Sequence, residues 1–244
     1  DRMKAYYANA GADPRMSFRD SVSIMMANHN PRVMPMNVDF LNKISYKQSL
    51  DFYKSRFADA SDFTFVFVGN VNPDEVKNLV EKYIGGLPSI KRVEAAKDNN
   101  VRPPKGKVQN YFKKPLKDPK ATVNIAYTGE MDYTLENKLL VDVVKSVLNN
   151  RYIDEIREKE GASYGVGVRA YVRNLPYSSF GAVFNFDTDP ARKERMIEII
   201  HNEVKVIMTQ GPSEDNLVKA KEFMLKQFDQ NQRENGYWSS AIRE

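Results

Sequence analysis

RYIDEIREKEGASYGVGV, residues Arg151 to Val168, reads as a helix, a glycine-containing turn and a strand. Arg157 lies in the helix and Tyr164 opens the strand, seven residues later. The turn folds the two back toward each other. Downstream of it, Tyr164, Val166, Val168, Ala170 and Val172 alternate onto one face of a predicted strand. Phe180, Ala182, Phe184 and Phe186 do the same in Ser179 to Asp187. Strict alternation over such lengths predicts an antiparallel pair with one buried face. Asn174 to Tyr177 makes the connection.

Asp187-Thr188-Asp189-Pro190 then starts a helix reaching about Gln210, with Met196, Ile199, Ile200 and Ile207 inward. Gly211 ends it, and Ser213 caps a further helix bearing Leu217, Ala220, Met224 and Phe228. A third helical piece starts near Tyr237-Trp238. Upstream of the opening stretch, Thr134 caps a helix whose stripe is Leu135, Leu139, Val143 and Val147. Asn149-Asn150 are expected to break it, leaving Arg151 to Glu160 as a shorter helix. Before these, Val108 to Pro115 and Ala121 to Met131 read as strands. The order strand, strand, helix, helix, strand, strand, helix, helix predicts an α+β fold: an antiparallel-rich sheet covered by helices on one side.

The N-terminal part reads differently. Residues 1–14 have no clear period. Asp13-Pro14 then Ser17-x-x-Asp20 resembles a helix start, with Ser17 able to cap and Asp20 suited to the first turn; the helix carries Phe18, Val22 and Met25 or Met26 inward, and Pro31 stops it. Residues 32–44 read as a loop or short strand, and Ser45 caps a helix to Phe57. FTFVFVG, Phe63 to Gly69, is an unbroken apolar run, as expected of a strand buried on both faces. Asn72 and Pro73 start another helix, with Val76, Leu79, Val80 and Tyr83 inward and Gly85-Gly86 at its end. Residues 1–90 are thus expected to be the end part of one α/β module and 91–106 a basic linker. Residues 107–244 would be a second such module, truncated at its C-terminus. The start at Asp1 and the stop within a helix point to a piece of a longer protein.

Composition removes several classes of function. The chain of 244 residues has no cysteine, which excludes disulfides, thiolate zinc sites and cysteine nucleophiles. No apolar run approaches the roughly 20 residues of a membrane-spanning helix, and the compartment stays open between periplasm and cytoplasm. The net charge of +5 is concentrated in Lys91 to Lys120, where ten lysines and arginines face three acids. That excess lies in a proline-containing, apolar-poor linker, not on a folded basic face, so no nucleic-acid partner is expected.

The chemistry-bearing residues are few. His29 and His201 are the two histidines. His29 sits at a helix exit with no second ligand nearby, which reads as a surface or capping histidine. Glu198-x-x-His201, with Glu194 one turn earlier, is half of a di-iron helical motif, and its second copy is missing. It reads as a solvated helix face. No Gly-x-Ser-x-Gly occurs, so a serine triad is not expected. Gly161 to Gly167 is glycine-rich but follows a helix and opens a strand, the reverse of a phosphate cradle. Arg157 and Tyr164 remain. One reading pairs Arg157 with Glu155, Glu158 or Glu160 on a solvated helix and leaves Tyr164 a strand aromatic. The other notes a rigid guanidinium fork beside a hydroxyl donor, able to hold peptide carbonyls or a developing oxyanion.

NNRYIDEIREKEGASYGVGV resembles the C-terminal domain of the M16 zinc metallopeptidases, the pitrilysin, insulinase and mitochondrial processing peptidase family. FTFVFVGNVNPDEVKNLVEKYIGGLP resembles the unit that closes a repeat in that family. YFKKPLKDPKATVNIAYTGEM and FNFDTDPARKERMIEIIHNEV follow in the family's order. The resemblance covers nearly the whole chain from about residue 40. It implies an M16 peptidase-like fold and a two-half chamber in which peptides are hydrolysed. One half carries zinc on an inverted His-x-x-Glu-His motif. The other supplies an arginine and a tyrosine that reach the substrate, which here are Arg157 and Tyr164. This chain has no inverted motif, so the resemblance implies the non-zinc half, with no metal ligands of its own, inactive alone. Its partners would be a peptide substrate and the zinc-bearing half, in the same chain or another. The alternative is a non-catalytic M16-like module that binds peptides or partners.

Overall fold

The computed structural model describes residues 2–152 and 166–243. The chain divides into two compact units. One comprises Asp1–Ala8, Met36–Lys97 and Lys226–Glu244, and the other Asn9–Pro35 and Asp98–Leu225.

The second unit holds the sheet. β1 (Ala121–Glu130), β2 (Gly167–Arg173) and β3 (Ser179–Thr188) are ordered β1-β3-β2, all antiparallel. In register, Ile125 and Val168 both face Phe184. Alternation puts Val123, Ile125, Tyr127, Val168, Ala182, Phe184 and Phe186 on one side. There they pack with Leu148 and Tyr152 of α6 (Leu135–Tyr152) and with Met196, Ile199 and Ile200 of α7 (Lys193–Gln210). The predicted face of Ala182, Phe184 and Phe186 and the predicted stripe of α7 are both found. Thr134 caps α6 through Asn137 N–H at 3.1 Å, and Ser213 caps α8 (Glu214–Asn231) through Asn216 N–H at 3.3 Å. Helices lie against one face of an antiparallel sheet, which is the α+β arrangement expected.

Several local expectations are corrected. α6 does not break at Asn149-Asn150 but runs on to Tyr152. Burial of Val147, Leu148 and Tyr152 outweighs the poor helix propensity of two asparagines. Asn149 also donates from Nδ2 to Lys145 O, 3.0 Å away, so its side chain supports the helix turn. Residues 2–10 form a helix, α1 (Arg2–Ala10). α2 (Pro14–Met26) starts three residues before Ser17, because Asp13 accepts from Arg15 N–H at 2.8 Å and Pro14 fits the first turn. The 32–44 segment contains a short helix, α3 (Val38–Asn42), capped by Asn37.

Two predicted strands are not formed. Val108 to Pro115 runs extended along α2: Asn110 Nδ2 donates to Ser21 Oγ at 2.7 Å, and Phe112 lies 6.4 Å from the Phe18 ring. These side-chain contacts take the place of a ladder to β1. Phe63 to Gly69, in the first unit, pairs with no strand among the described residues. An extended segment becomes a strand only when another supplies its hydrogen bonds. The rings instead meet one another, Phe57 to Phe63 edge-on at 5.7 Å and Phe63 to Phe65 tilted at 6.1 Å.

The helices of the first unit include α4 (Tyr46–Phe57), capped by Ser45, α5 (Pro73–Tyr83), capped by Asn72, and α9 (Asn235–Arg243). Asp59 ties it together. Its carboxylate accepts from Ser61 N–H at 3.0 Å, Ile90 N–H at 3.1 Å and Arg92 N–H at 2.7 Å. Burial alone would raise its pKa, but these bonds hold it at about 2.

Candidate functional site

The expected pair, Arg157 and Tyr164, lies outside the described residues. Both flanks of the segment that carries it, residues 153–165, are described. The chain leaves α6 at Tyr152, which is buried, and its ring meets Phe184 edge-on at 5.7 Å. The Tyr152 hydroxyl donates to Ile200 O at 3.1 Å. Burial pushes its phenol well above the usual range, and the charge of Glu203 adds to the shift. The hydroxyl therefore keeps its proton and acts as a donor. Beside it, Arg151 Nε pairs with Glu203 of α7, and both side chains are mostly buried.

The chain re-enters at Val166, which packs against the core, and forms β2 from Gly167. Val168 N–H donates to Asn149 Oδ1 at 3.3 Å. Among the described residues β2 is an edge strand, so its outward N–H groups have no ladder partner there. Asn149 satisfies one of them. The two flanks thus converge on Phe184, the ring neighbour of Tyr152 and the cross-strand partner of Val168.

In the sequence, Asn149 reads as a helix breaker and Arg151 as a helix start, and neither carries a motif that names its partner. One signal was available. Glu203 falls on the same helical stripe as Met196, Ile199, Ile200 and Ile207, where a charge must find a partner.

On the other edge of the sheet, a cavity of about 1090 Å³ lies within the second unit between α2, residues 102–112 and β1. Phe18, Met25, Tyr111, Tyr127, Ile197 and His201 help to line it. Tyr127 Oη lies 2.5 Å from His201 Nδ1. Burial raises the Tyr127 pKa, so the phenol keeps its proton in this contact. An edge strand beside apolar walls is the kind of surface that takes up an extended segment.

His201 is engaged with Tyr127, while Glu198 pairs with Arg195 at 3.1 Å and Glu194 with Lys193 at 2.9 Å. Among the described residues, no group of three or more His, Cys, Asp or Glu could hold a metal ion. The donor set of a zinc centre is therefore not found in them. His29 adopts a left-handed backbone, φ 57°, as its N–H closes the end of α2 on Ile24 O. The basic segment is partly neutralised: Arg92 pairs with Glu94, Arg102 with Asp98 and Lys120 with Asp187. Arg102 also lies 3.7 Å over the Tyr177 ring. Among the described residues, no helix is long and apolar enough to cross a membrane.

Comparison with known proteins places this geometry. Residues 43–224 match the model of the peptidase M16 inactive domain. A zinc protease PQQL-like protein of Arabidopsis thaliana is 21% identical over 245 residues, covering 94% of this chain and 25% of the relative. A probable zinc protease PqqL of Haemophilus influenzae is 24% identical over 182 residues, covering 75% of this chain and 19% of the relative. The chain thus spans about a quarter or less of these relatives. The crystal structure of the periplasmic protease PqqL from Escherichia coli superposes with a TM-score of 0.83 at 18% identity, over 98% of this chain and 26% of that one. A peptidase M16 inactive domain from Pseudomonas fluorescens gives 0.66 at 14% identity, over 92% of this chain and 54% of that one. The matched residues include α6, both flanks of residues 153–165, and the sheet, and on that breadth of match the chain belongs to the peptidase M16 family, in the domain that the family model describes as inactive.

Proposed function

We propose that this chain is the substrate-clamping region of an M16 zinc metallopeptidase that hydrolyses peptides in a two-half chamber. Arg157 and Tyr164 hold the substrate backbone, or the developing oxyanion, opposite a zinc carried elsewhere in the complete enzyme. The observation that supports this most is the family match over residues 43–224, which includes residues 151–168. In this reading, residues 1–90 close one M16-like module, 91–106 link, and 107–244 form the second. The zinc-bearing half, in the same polypeptide or a partner, completes the site.

The proposed chemistry of the pair is electrostatic. A guanidinium offers several donors in fixed geometry, and a phenol adds one more. Both gain strength where charge grows on the carbonyl oxygen. In the complete protein, Tyr164→Phe is expected to lower peptide turnover by about 10²-fold, the usual loss for one oxyanion donor. Unchanged turnover removes the role for Tyr164. The family model's description as inactive favours a second reading, a non-catalytic module that binds peptides or partners. That reading expects binding to survive a chelator, with no cleavage by the complete protein.

A further inference from the structure

We propose that the sheet face turned away from α6 and α7 carries a binding site for a peptide carboxylate, built from Arg169, Asn185 and Asn124 opposite α2. That the carboxylate belongs to a peptide rests on the functional reading above. The site itself rests on contacts within the second unit.

Val168 and Phe184 are buried against the helices, so alternation turns Gly167, Arg169 and Asn185 to the opposite face. The register sets Gly167, Asn185 and Asn124 in one row across the three strands. Across a gap from this row stands α2. The gap is a cavity of about 360 Å³, with Phe18, Arg19 and Val22 on the helix side and the row and Arg169 on the sheet side. Glycine leaves the β2 end of the row without a side chain, which opens the floor beside Arg169. A Cβ placed on Gly167 would meet only Asn185 O, at 3.8 Å.

The lining holds two arginines and no acid. Arg169 has no hydrogen bond or ion pair among the described residues. Other arginines of the unit are engaged: Arg102 with Asp98, Arg151 with Glu203, and Arg173 over the Tyr171 ring at 4.1 Å. The acid that follows on this face of β3, Asp187, is held by Lys120 at 2.8 Å and Thr122 Oγ1 at 2.6 Å. Asn124 Nδ2 donates to Asn185 Oδ1 at 2.6 Å, and this bond orients the Asn185 amide. Among the described residues no acceptor takes the Asn185 Nδ2 hydrogens. A guanidinium fork beside an amide donor, with no free carboxylate near, selects an anion. Arg19 adds a second positive charge: it lies 3.7 Å from Asp20 and its side chain is 68% exposed. Phe18 and Val22, one turn apart on α2, add an apolar wall. The ligand that fits is a carboxylate carried on an apolar chain, either an acidic side chain or the C-terminal carboxylate of a peptide.

The test titrates three peptides into the complete protein by calorimetry at low salt, with a chelator present to prevent cleavage. Acetyl-Val-Leu-Glu-amide offers a side-chain carboxylate. Acetyl-Val-Gln-Leu with a free C-terminus offers a terminal one, and acetyl-Val-Leu-Gln-amide offers none. One of the two acids is expected to bind about tenfold tighter than the neutral peptide, as for one charge-assisted contact, and the tighter acid names the source. Arg169→Gln should abolish that preference. Arg169→Lys keeps the charge without the fork and should retain part of it. Gly167→Val, which fills the floor, should weaken the acidic peptide about as much as Arg169→Gln. Arg169 is exposed, so its variants should melt with the wild type. Equal binding of the three peptides overturns the site, and so does a preference that survives Arg169→Gln. Inorganic phosphate bound as tightly as the acidic peptide overturns the carboxylate class. A silent Tyr164→Phe removes the function assigned to that pair, while the peptide preference still judges this site.

Discussion

In the second unit, side chains from α6, α7 and three strands converge until Phe184 and Met196 are 1% exposed and Ile200 0%. In the first unit, Phe63, Phe65 and Phe67 keep 37%, 44% and 50% of their surface. Its one buried side chain among the described residues is a carboxylate, Asp59. Apolar supply does not explain the contrast, since FTFVFVG is as apolar as any strand of the sheet. Pairing does. β3 has a partner on each side, and its inward residues meet two helices. Phe63 to Gly69 has no partner strand among the described residues, and Phe63 meets the rings of Phe57 and Phe65 at an angle. Burial in this fold follows from the ladder, because the ladder lets alternate side chains form a surface that helices can cover.

The largest expected effect tests that contrast directly. Phe184→Ala should destabilise the second unit by about 3–5 kcal/mol, the usual cost of truncating a buried phenylalanine. Phe65→Ala should cost less than about 1 kcal/mol, as for an exposed site. Thermal or denaturant unfolding of the chain measures both. Equal costs would mean that Phe65 is covered in solution, and the contrast between the units would fall.

The same contrast marks what could be read in the residues. Period-2 alternation located β2 and β3, and a stripe at helical spacing located α7, because in each case one buried face repeats along the element. Ser45, Asn72, Thr134 and Ser213 are all found as caps, since a cap is decided within four residues. Of the expectations that failed, the helix start at Ser17 and the loop over 32–44 missed local caps at Asp13 and Asn37, while the two strands and the helix break depended on distant partners. Phe63 to Gly69 and Val108 to Pro115 have strand composition, but a strand is defined by a neighbour that local sequence does not name. Asn149-Asn150 looks like a break until Val168 and Lys145 are placed beside Asn149. The candidate site divides similarly. Arg157 and Tyr164 rest on the family resemblance and stand as a proposal, whereas the Arg151–Glu203 pair, 52 residues apart, forms only after folding.

A second, smaller effect concerns how the first unit holds together without a ladder. Asp59 has its pKa lowered from 3.8 to about 2. A carboxyl depressed on folding stabilises the fold above its ordinary value, and that contribution is lost as pH falls through its folded value. Asp59→Asn offers one oxygen where three N–H groups converge, and should lower the melting temperature by roughly 5 °C at pH 6. The gap between variant and wild type should be full above about pH 4 and shrink as the pH approaches 2. A gap independent of pH would show that shape, not charge, gives Asp59 its role.

The smallest effect is expected at the cavity edge of the sheet, where Tyr127 is half-buried. Tyr127→Phe keeps the ring that meets Phe184 edge-on at 5.8 Å and removes only the bond to His201 Nδ1. The loss should be about 1 kcal/mol, or some 2–4 °C in melting temperature. His201→Ala should cost a similar amount, and the double variant should cost less than the sum, because the two singles remove one bond. Additive losses would separate the pair and leave the core cluster, without this polar link, as what holds α7 to β1.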